Sequence, residues 1–249
     1  MKKLVVVGDK FGEFAKLNGT ITQTQLSMLT QIPAKIFTKK NYLVPGQGCK
    51  RDEVSRFVKD IENSEHLDMS SLISFYGCEV LPNKYTHQIN IHNVLIGQAK
   101  QLNDTLFELP FILDERNMLM GDHQTGRHVQ GMIITEAFRQ TFIAITEEFY
   151  LNDDNNQDKY FVINGMNIQF ENFLFPLPAQ IYFELINIDK NNYRTKVKAK
   201  ITINQANKVC ATMNTDFAVY PVNDLSKKEA VLANEALNSY LTDSLNNVA

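Results

Sequence analysis

The chain has 249 residues, 44% hydrophobic and 21% charged, with 16 Phe and 9 Tyr, enough apolar material to close a core without disulfide or metal staples. A formal net charge of -3 excludes the strongly basic balance on which nucleic-acid and anionic-membrane binding rest. Cys49, Cys78 and Cys210 are widely spaced and form no CxxC pair, which argues against a disulfide framework or zinc ribbon and for a reducing, cytoplasmic setting.

Leu4 to Val7 is a short apolar run closed by Gly8-Asp9, the pattern of a buried strand. It is far too short for a signal-peptide core or a membrane span, so no targeting or membrane segment is expected. A short helix is predicted over residues 22 to 30 through Leu26 and Leu29. A second is predicted over 51 to 63, where Val54, Phe57, Val58 and Ile61 recur at helical spacing after Pro45-Gly46-Gln47-Gly48. Residues 1 to 82 read as an N-terminal α/β extension, 83 to 222 as the main domain and 223 to 249 as a C-terminal helix.

In the main domain, residues 93 to 99 and 105 to 113 read as two strands joined across Asn103-Asp104, a hairpin with Phe107, Leu109, Phe111 and Leu113 alternating. Helical text runs from His128 to Tyr150. Strands follow at 160 to 163, 166 to 172, 180 to 187, 193 to 203 and 209 to 220. The clearest alternates Tyr193, Thr195, Val197, Ala199, Ile201 and Ile203 with Arg194, Lys196, Lys198, Lys200 and Thr202. The tail from Asp224 to Leu245 carries Ala230, Ala233, Leu237, Leu241 and Leu245 on one stripe behind a Ser226-Lys-Lys-Glu229 capping box, and is expected to pack on the surface.

Between residues 129 and 145, apolar side chains fall on every side of the helix, with Val129, Ile133, Ala137 and Ala144 on one stripe and Ile134, Phe138, Phe142 and Ile145 on another. A helix that is apolar all round is buried. Strands before and after it then predict an α+β fold in which an antiparallel sheet curls around this helix, each covering the other's apolar face.

Glu136, Arg139 and Gln140 lie inside that helix, and a buried charge is costly unless it is paired or put to use. One reading is structural: Glu136 and Arg139 neutralise each other or meet a subunit interface. The other is catalytic. His123 and His128 lead into the helix N-terminus, where Gly131 lets a thioester carbonyl approach free backbone N–H groups that, with the helix dipole, stabilise an oxyanion. A histidine beside the substrate and a carboxylate on the helix suit proton abstraction next to a thioester or activation of water.

The segment from Asp122 through His123, His128, Gly131, Met132, Glu136, Ala137 and Arg139 to Gln140 resembles the signature of the A-factor biosynthesis (AfsA-type) hotdog family. More distantly it is similar to the His, Pro-Gly, Glu-Ala, Gln segment of β-hydroxyacyl-ACP dehydratases. Thr86-His87-Gln88 with Asn93 to Ile96 is similar to the family's histidine-containing opening strand, and residues 167 to 179 resemble the strand and turn after the central helix.

This resemblance, over about residues 84 to 220, implies a hotdog fold: a long central helix wrapped by a curved antiparallel sheet. It implies a β-ketoacyl or β-hydroxyacyl thioester substrate on acyl carrier protein or CoA, in specialised lipid or signal biosynthesis, with no cofactor. The best-known family activity is transfer of a β-ketoacyl group to the hydroxyl of a glycerol-type phosphate. Dehydration and thioester hydrolysis run on the same scaffold, so an acyl-thioesterase stays open. On this resemblance His123, His128 and Glu136 are the catalytic candidates, and Gly131, Met132, Arg139, Gln140 and His87 the substrate-binding ones.

The chain departs from the family pattern in three ways. Gln130 replaces the proline before the glycine, the spacing between His123 and His128 is one residue longer, and one hotdog stands where the family often carries two. The last implies a homodimer, because hotdog sites are typically completed by a second hotdog.

Other motifs weigh less. His87, His92, His123 and His128 lack HxxxH or HExxH spacing, so no metal site is expected. Gly8-Asp9-Lys10-Phe11-Gly12 fails both nucleotide-loop patterns and reads as a plain turn. No GxSxG elbow exists. The basic residues from Arg194 to Lys200 read as a solvated strand face rather than a dock for an acidic carrier. The reading from another class is a non-catalytic acyl-binding or interaction module.

Overall fold

The computed structural model describes residues 2–37, 40–54, 66–76, 83–121, 124–151 and 159–246. The chain opens with β1 (Lys2–Val7), β2 (Thr20–Thr22) and α1 (Gln23–Thr30), the helix closed at its N-terminus by a reciprocal capping box between Thr22 and Gln25. β3 (Asn41–Pro45), β4 (Leu67–Asp68) and α2 (Ser70–Tyr76) follow. The four strands are parallel in the order β2-β1-β3-β4. Alternation along β1 divides it between two cores: Leu4 and Val6 join Leu26, Leu43 and Leu72, whereas Val7 joins the larger core with Phe11 and Phe14. Helix begins at Arg51 as expected, but residues 55–65 of that segment lie outside the described ones.

After α3 (Asn83–Thr86), the chain builds β5 (Lys100–Gln101), β6 (Leu106–Pro110) and α4 (Gly131–Ile145), then β7 (Lys159–Phe170), β8 (Gln180–Lys190), β9 (Thr195–Gln205) and β10 (Lys208–Pro221). These six strands form one sheet in the order β5-β6-β8-β9-β10-β7, every neighbouring pair antiparallel. α4 packs its apolar sides on the inner face of the sheet. Phe138 and Phe142 are fully buried, and Phe142 stacks on Phe217 of β10 with ring centroids 4.6 Å apart. Each such ring contributes about 2–3 kcal/mol of burial. A central helix wrapped by an antiparallel sheet is the hotdog arrangement, as expected.

Several local expectations are corrected. Residues 160–163 and 166–172 were read as two strands, but β7 is continuous. A register shift opposite Asp216 and Phe217 takes up Asn164, so Gly165 stays in the ladder without a break. Thr86-His87-Gln88 is no strand: α3 ends there and His87 takes a left-handed φ of 55°. The hairpin exists, but its regular pairing is confined to Lys100–Gln101 against Phe107 and Glu108, with an isolated Ile96–Phe111 bridge.

The central helix is not buried on all sides either. Met132, Thr135, Glu136 and Arg139 form a face open to solvent to differing degrees, and the five residues from Thr146 to Tyr150 wind as a π-helical turn. α5 (Val222–Asn246) starts four residues before Ser226, so that serine cannot cap it. Its apolar residues Leu237 and Leu241 are about half exposed, and Tyr160 donates to Glu229 at 3.3 Å, tying the helix to β7. No helix among the described residues is long and apolar enough to cross a membrane.

The lysines of β9 face acids on neighbouring strands. Lys200 lies opposite Glu184, Lys196 opposite Asp189, and Lys198 is 3.8 Å from Asp216. Charge is thus balanced across that face.

Candidate active site

Glu136 sits one and a half turns into α4 at the half-open face, and four hydrogen bonds converge on its carboxylate. Arg139 donates from Nε to Oε2 at 2.7 Å and from Nη2 to Oε1 at 2.8 Å. Gln88 and Gln140 each donate from Nε2 to Oε1, at 2.8 and 3.0 Å. Every partner is a donor, the arrangement an acceptor-only carboxylate needs. Glu136's hydrogen bond raises the pKa of Arg139, against the opposing effect of burial. Among the described residues the Oε2 oxygen accepts a single hydrogen bond, which leaves it a lone pair facing the cleft.

Gln140 holds the back of this arrangement. It is fully buried, donates also to the Asn93 carbonyl at 2.8 Å, and accepts from the Leu95 amide at 2.8 Å. Gln140 therefore orients Glu136 and the 93–95 segment, and does not itself line a cleft. The front is a cleft of about 260 Å³ lined by Gln88, Asn93, Asn117, Met118 and Leu119 together with Glu136 and Arg139.

Gly131 opens α4 with Gln130 as N-cap in extended conformation and no side-chain cap. Among the described residues, neither the Gly131 nor the Met132 amide meets an acceptor, as expected for the first turn of a helix. A Cβ on Gly131 would lie 3.1 Å from Cζ of Phe170. Glycine is thus what lets the β7 ring close over the helix end. His128 lines the same cleft, of about 450 Å³, with Ile134, Phe170, Phe173 and Leu174. Its Nδ1 is 3.1 Å from the Thr125 hydroxyl and its ring lies 4.8 Å from that of Phe173.

His87 opens on a third cleft, of about 220 Å³, with Arg139, Phe142, Tyr160, Phe161 and Ile163. Its Nε2 is 2.9 Å from Oε2 of Glu147 at the π-helical turn. Met132 is 64% exposed and lines none of these clefts. His123 lies outside the described residues.

Within one chain, therefore, the expected site residues separate. Gly131 and His128 share one cleft, Glu136 and Arg139 another, and His87 borders Arg139 from a third. The cause is helical geometry: at 100° per residue, Gly131 and Glu136 point about 140° apart around α4. The sequence reading missed Asn117, Met118 and Leu119, which lie at the start of a one-turn 3-10 helix, Met118–Gly121, too short to leave a periodic signal. Gln88 and Asn93 stood in the quoted segment, but a strand there would not have brought both to Glu136.

A family model described as the A-factor biosynthesis hotdog domain matches residues 78–221. No curated protein matches the chain. Solved structures it is similar to include a dehydratase heterocomplex from Xenorhabdus doucetiae, at 13% identity and TM-score 0.43, covering 61% of this chain and 99% of that one. A mutant thioesterase from Pseudomonas aeruginosa is similar at 15% identity and TM-score 0.36, covering 71% and 97%. Another mutant thioesterase, from Staphylococcus aureus, is similar at 12% identity and TM-score 0.35, covering 50% and 93%. The family match takes in α4 with its Gly131, Glu136 and Gln140, the edge strand β7 and the remainder of the wrapping sheet, and by it this chain belongs to the A-factor biosynthesis hotdog domain family.

Proposed function

We propose that the protein is a hotdog enzyme that moves the acyl group of a β-ketoacyl or β-hydroxyacyl thioester, carried on acyl carrier protein or CoA, to a hydroxyl acceptor. The observation that carries this reading is the set of donors on Glu136. A carboxylate met only by donors presents itself as an acceptor, the role in which a general base begins a reaction. Dehydration needs a base at the α-carbon and also an acid that delivers a proton to the departing hydroxyl, whereas acyl transfer starts with a base alone, removing a proton from the attacking hydroxyl.

In this scheme the thioester carbonyl faces the free amides of Gly131 and Met132, where N–H groups and the helix dipole stabilise the tetrahedral oxyanion. Oε2 of Glu136 takes the proton of the attacking hydroxyl as its oxygen bonds to the carbonyl carbon; the tetrahedral intermediate then collapses with cleavage of the C–S bond, and the proton passes from Glu136 to the departing thiolate. Because Gly131 and Glu136 open on different clefts, the site is completed in a homodimer, the carbonyl-binding end of one copy facing the Glu136 cleft of the other. The half-open face of α4 and the edge of β7, unpaired among the described residues, support that pairing. His128, before α4, and Phe173, after β7, flank the acyl thioester, and His123 precedes His128 in the segment that leads into α4.

Thioester hydrolysis is the second reading, since water can take the place of the hydroxyl acceptor in the same geometry. The protein is incubated with β-ketoacyl and β-hydroxyacyl thioesters of CoA and carrier protein, with and without an added polyol phosphate, and the products are weighed. Acyl-polyol supports transfer, and free acid supports hydrolysis. Loss of water from the hydroxyacyl chain alone, or Glu136→Gln retaining the full rate, overturns the proposal.

A further inference from the structure

In an open parallel sheet, ligands bind beyond the carboxyl ends of the strands where the strand order reverses. The order β2-β1-β3-β4 places that point at the ends of β1 and β3, and here the chain's own residues 113–115 fill it. The Gly48 amide donates to the Leu113 carbonyl at 2.9 Å and the Glu115 amide to the Gly48 carbonyl at 3.0 Å. Gln47 brackets the approach, donating to the Phe111 carbonyl and accepting from the Leu113 amide, both at 2.9 Å.

The carboxylate of Glu115, 6% exposed, takes the place an anionic ligand would have. It accepts from the Lys10 amide at 3.1 Å and lies 3.3 Å from Nζ of Lys50. Gly8 makes room for it, since a Cβ there would stand 2.4 Å from the Gly48 carbonyl oxygen and 2.9 Å from Oε2 of Glu115. Lys10 adds a bond from Nζ to the Met120 carbonyl at 2.7 Å.

The segment held in this way is the wall of the Glu136 cleft. Asn117, Met118 and Leu119 follow Glu115 with only Arg116 between. Asn117 donates to the His92 carbonyl at 3.2 Å, and Asn93 accepts from the Met118 amide at 3.0 Å. Asn93 in turn accepts from Gln140, which donates to Glu136. A continuous path of contacts thus joins Lys50 to the carboxylate.

We propose that the N-terminal sheet takes the Leu113–Glu115 segment as an internal ligand and so sets the wall of the Glu136 cleft, with Lys10 and Lys50 as positioning residues. This deepens the reading of that cleft as the acyl-transfer site, but the clamp itself is independent of the chemistry.

The test is hydrogen–deuterium exchange on the full chain for Lys50→Met, Lys50→Arg and Lys10→Met. In Lys50→Met, peptides covering 114–121 and 88–95 should exchange about tenfold faster while 196–220 keep wild-type rates, as in local opening. Lys50→Arg should restore protection, and Lys10→Met should loosen 118–121 most. Unchanged exchange in the wall, or a uniform rise through the β9–β10 hairpin, overturns the clamp. With acyl thioester, Lys50→Met should raise KM about fivefold at little changed kcat, because loosening a wall weakens binding more than chemistry. Absence of turnover in the wild-type protein sinks the proposed function, and the exchange result still decides the clamp.

Discussion

Arg139 and Glu136 lie three residues apart on α4 and meet side by side, Nε to Oε2 at 2.7 Å and Nη2 to Oε1 at 2.8 Å, with both side chains partly open to solvent. The pair is neither sealed by packing nor free to wander. Glu136→Gln keeps the shape but loses the proton acceptor, and should lower kcat by about 100-fold or more, the range expected of a general base. Arg139→Met should also slow turnover, with a loss of about 1 kcal/mol in denaturant stability as discounted for a partly exposed pair. Steady-state rates and urea unfolding of both variants check this.

Gly131→Ala separates fold from chemistry. Alanine is the better helix former, but its Cβ meets the Phe170 ring at 3.1 Å, and that ring, 56% exposed, can swing aside. Stability should change by less than about 1 kcal/mol. The carbonyl's approach to the Gly131 and Met132 amides is obstructed, so kcat/KM should fall about tenfold or more. A thermal melt alongside kinetics reads both, and full activity in Gly131→Ala removes the amides from the mechanism.

β7 is an edge strand that leaves Ile163 44% and Phe170 56% exposed, and an unpaired edge is a template for another strand. Light scattering should give twice the 28.5 kDa chain mass. Ile163→Glu should yield a folded monomer, with far-UV circular dichroism unchanged, and lose activity with the partner. A monomeric wild-type protein at micromolar concentration contradicts the shared site.

Asp114 lies in the same held segment. Burial alone would raise its pKa, but Arg116 opposes this through bonds to both carboxylate oxygens at 2.9 and 2.6 Å, and the net result is below the ordinary aspartate value. A carboxylate depressed in the folded state stabilises the protein above its unfolded pKa and loses that contribution as pH falls through the folded one. The wild type should therefore lose stability below about pH 4. Asp114→Asn should cost about 3 kcal/mol at neutral pH, the scale for breaking a buried pair, and flatten the acid limb. Urea midpoints from pH 7 to pH 2 test the sign.

Much of the fold was legible because its signals are local. Apolar text from residues 129 to 145, followed by strict alternation from Thr195 to Ile203, required a core helix and a half-buried strand, and both formed, the helix keeping one half-open face through Met132, Glu136 and Arg139. The bulge at Asn164 and the early start of α5 were not legible: a bulge depends on the strand opposite, and a helix start on the bonds of its first turn. Glu136 was legible as a charge inside apolar text.

By itself the sequence determined the core helix, the alternating strands that wrap it, and the acid and glycine placed on it, because periodicity and residue type act within a few positions of the chain. Only the tertiary structure decided that Gly131 and Glu136 face different clefts, and that Gln88, Gln140 and Arg139 all serve one carboxylate. It alone joined Glu115 to Lys50, 65 positions away. Contacts between residues so distant are fixed by how sheets and helix pack, and packing leaves no period in the text.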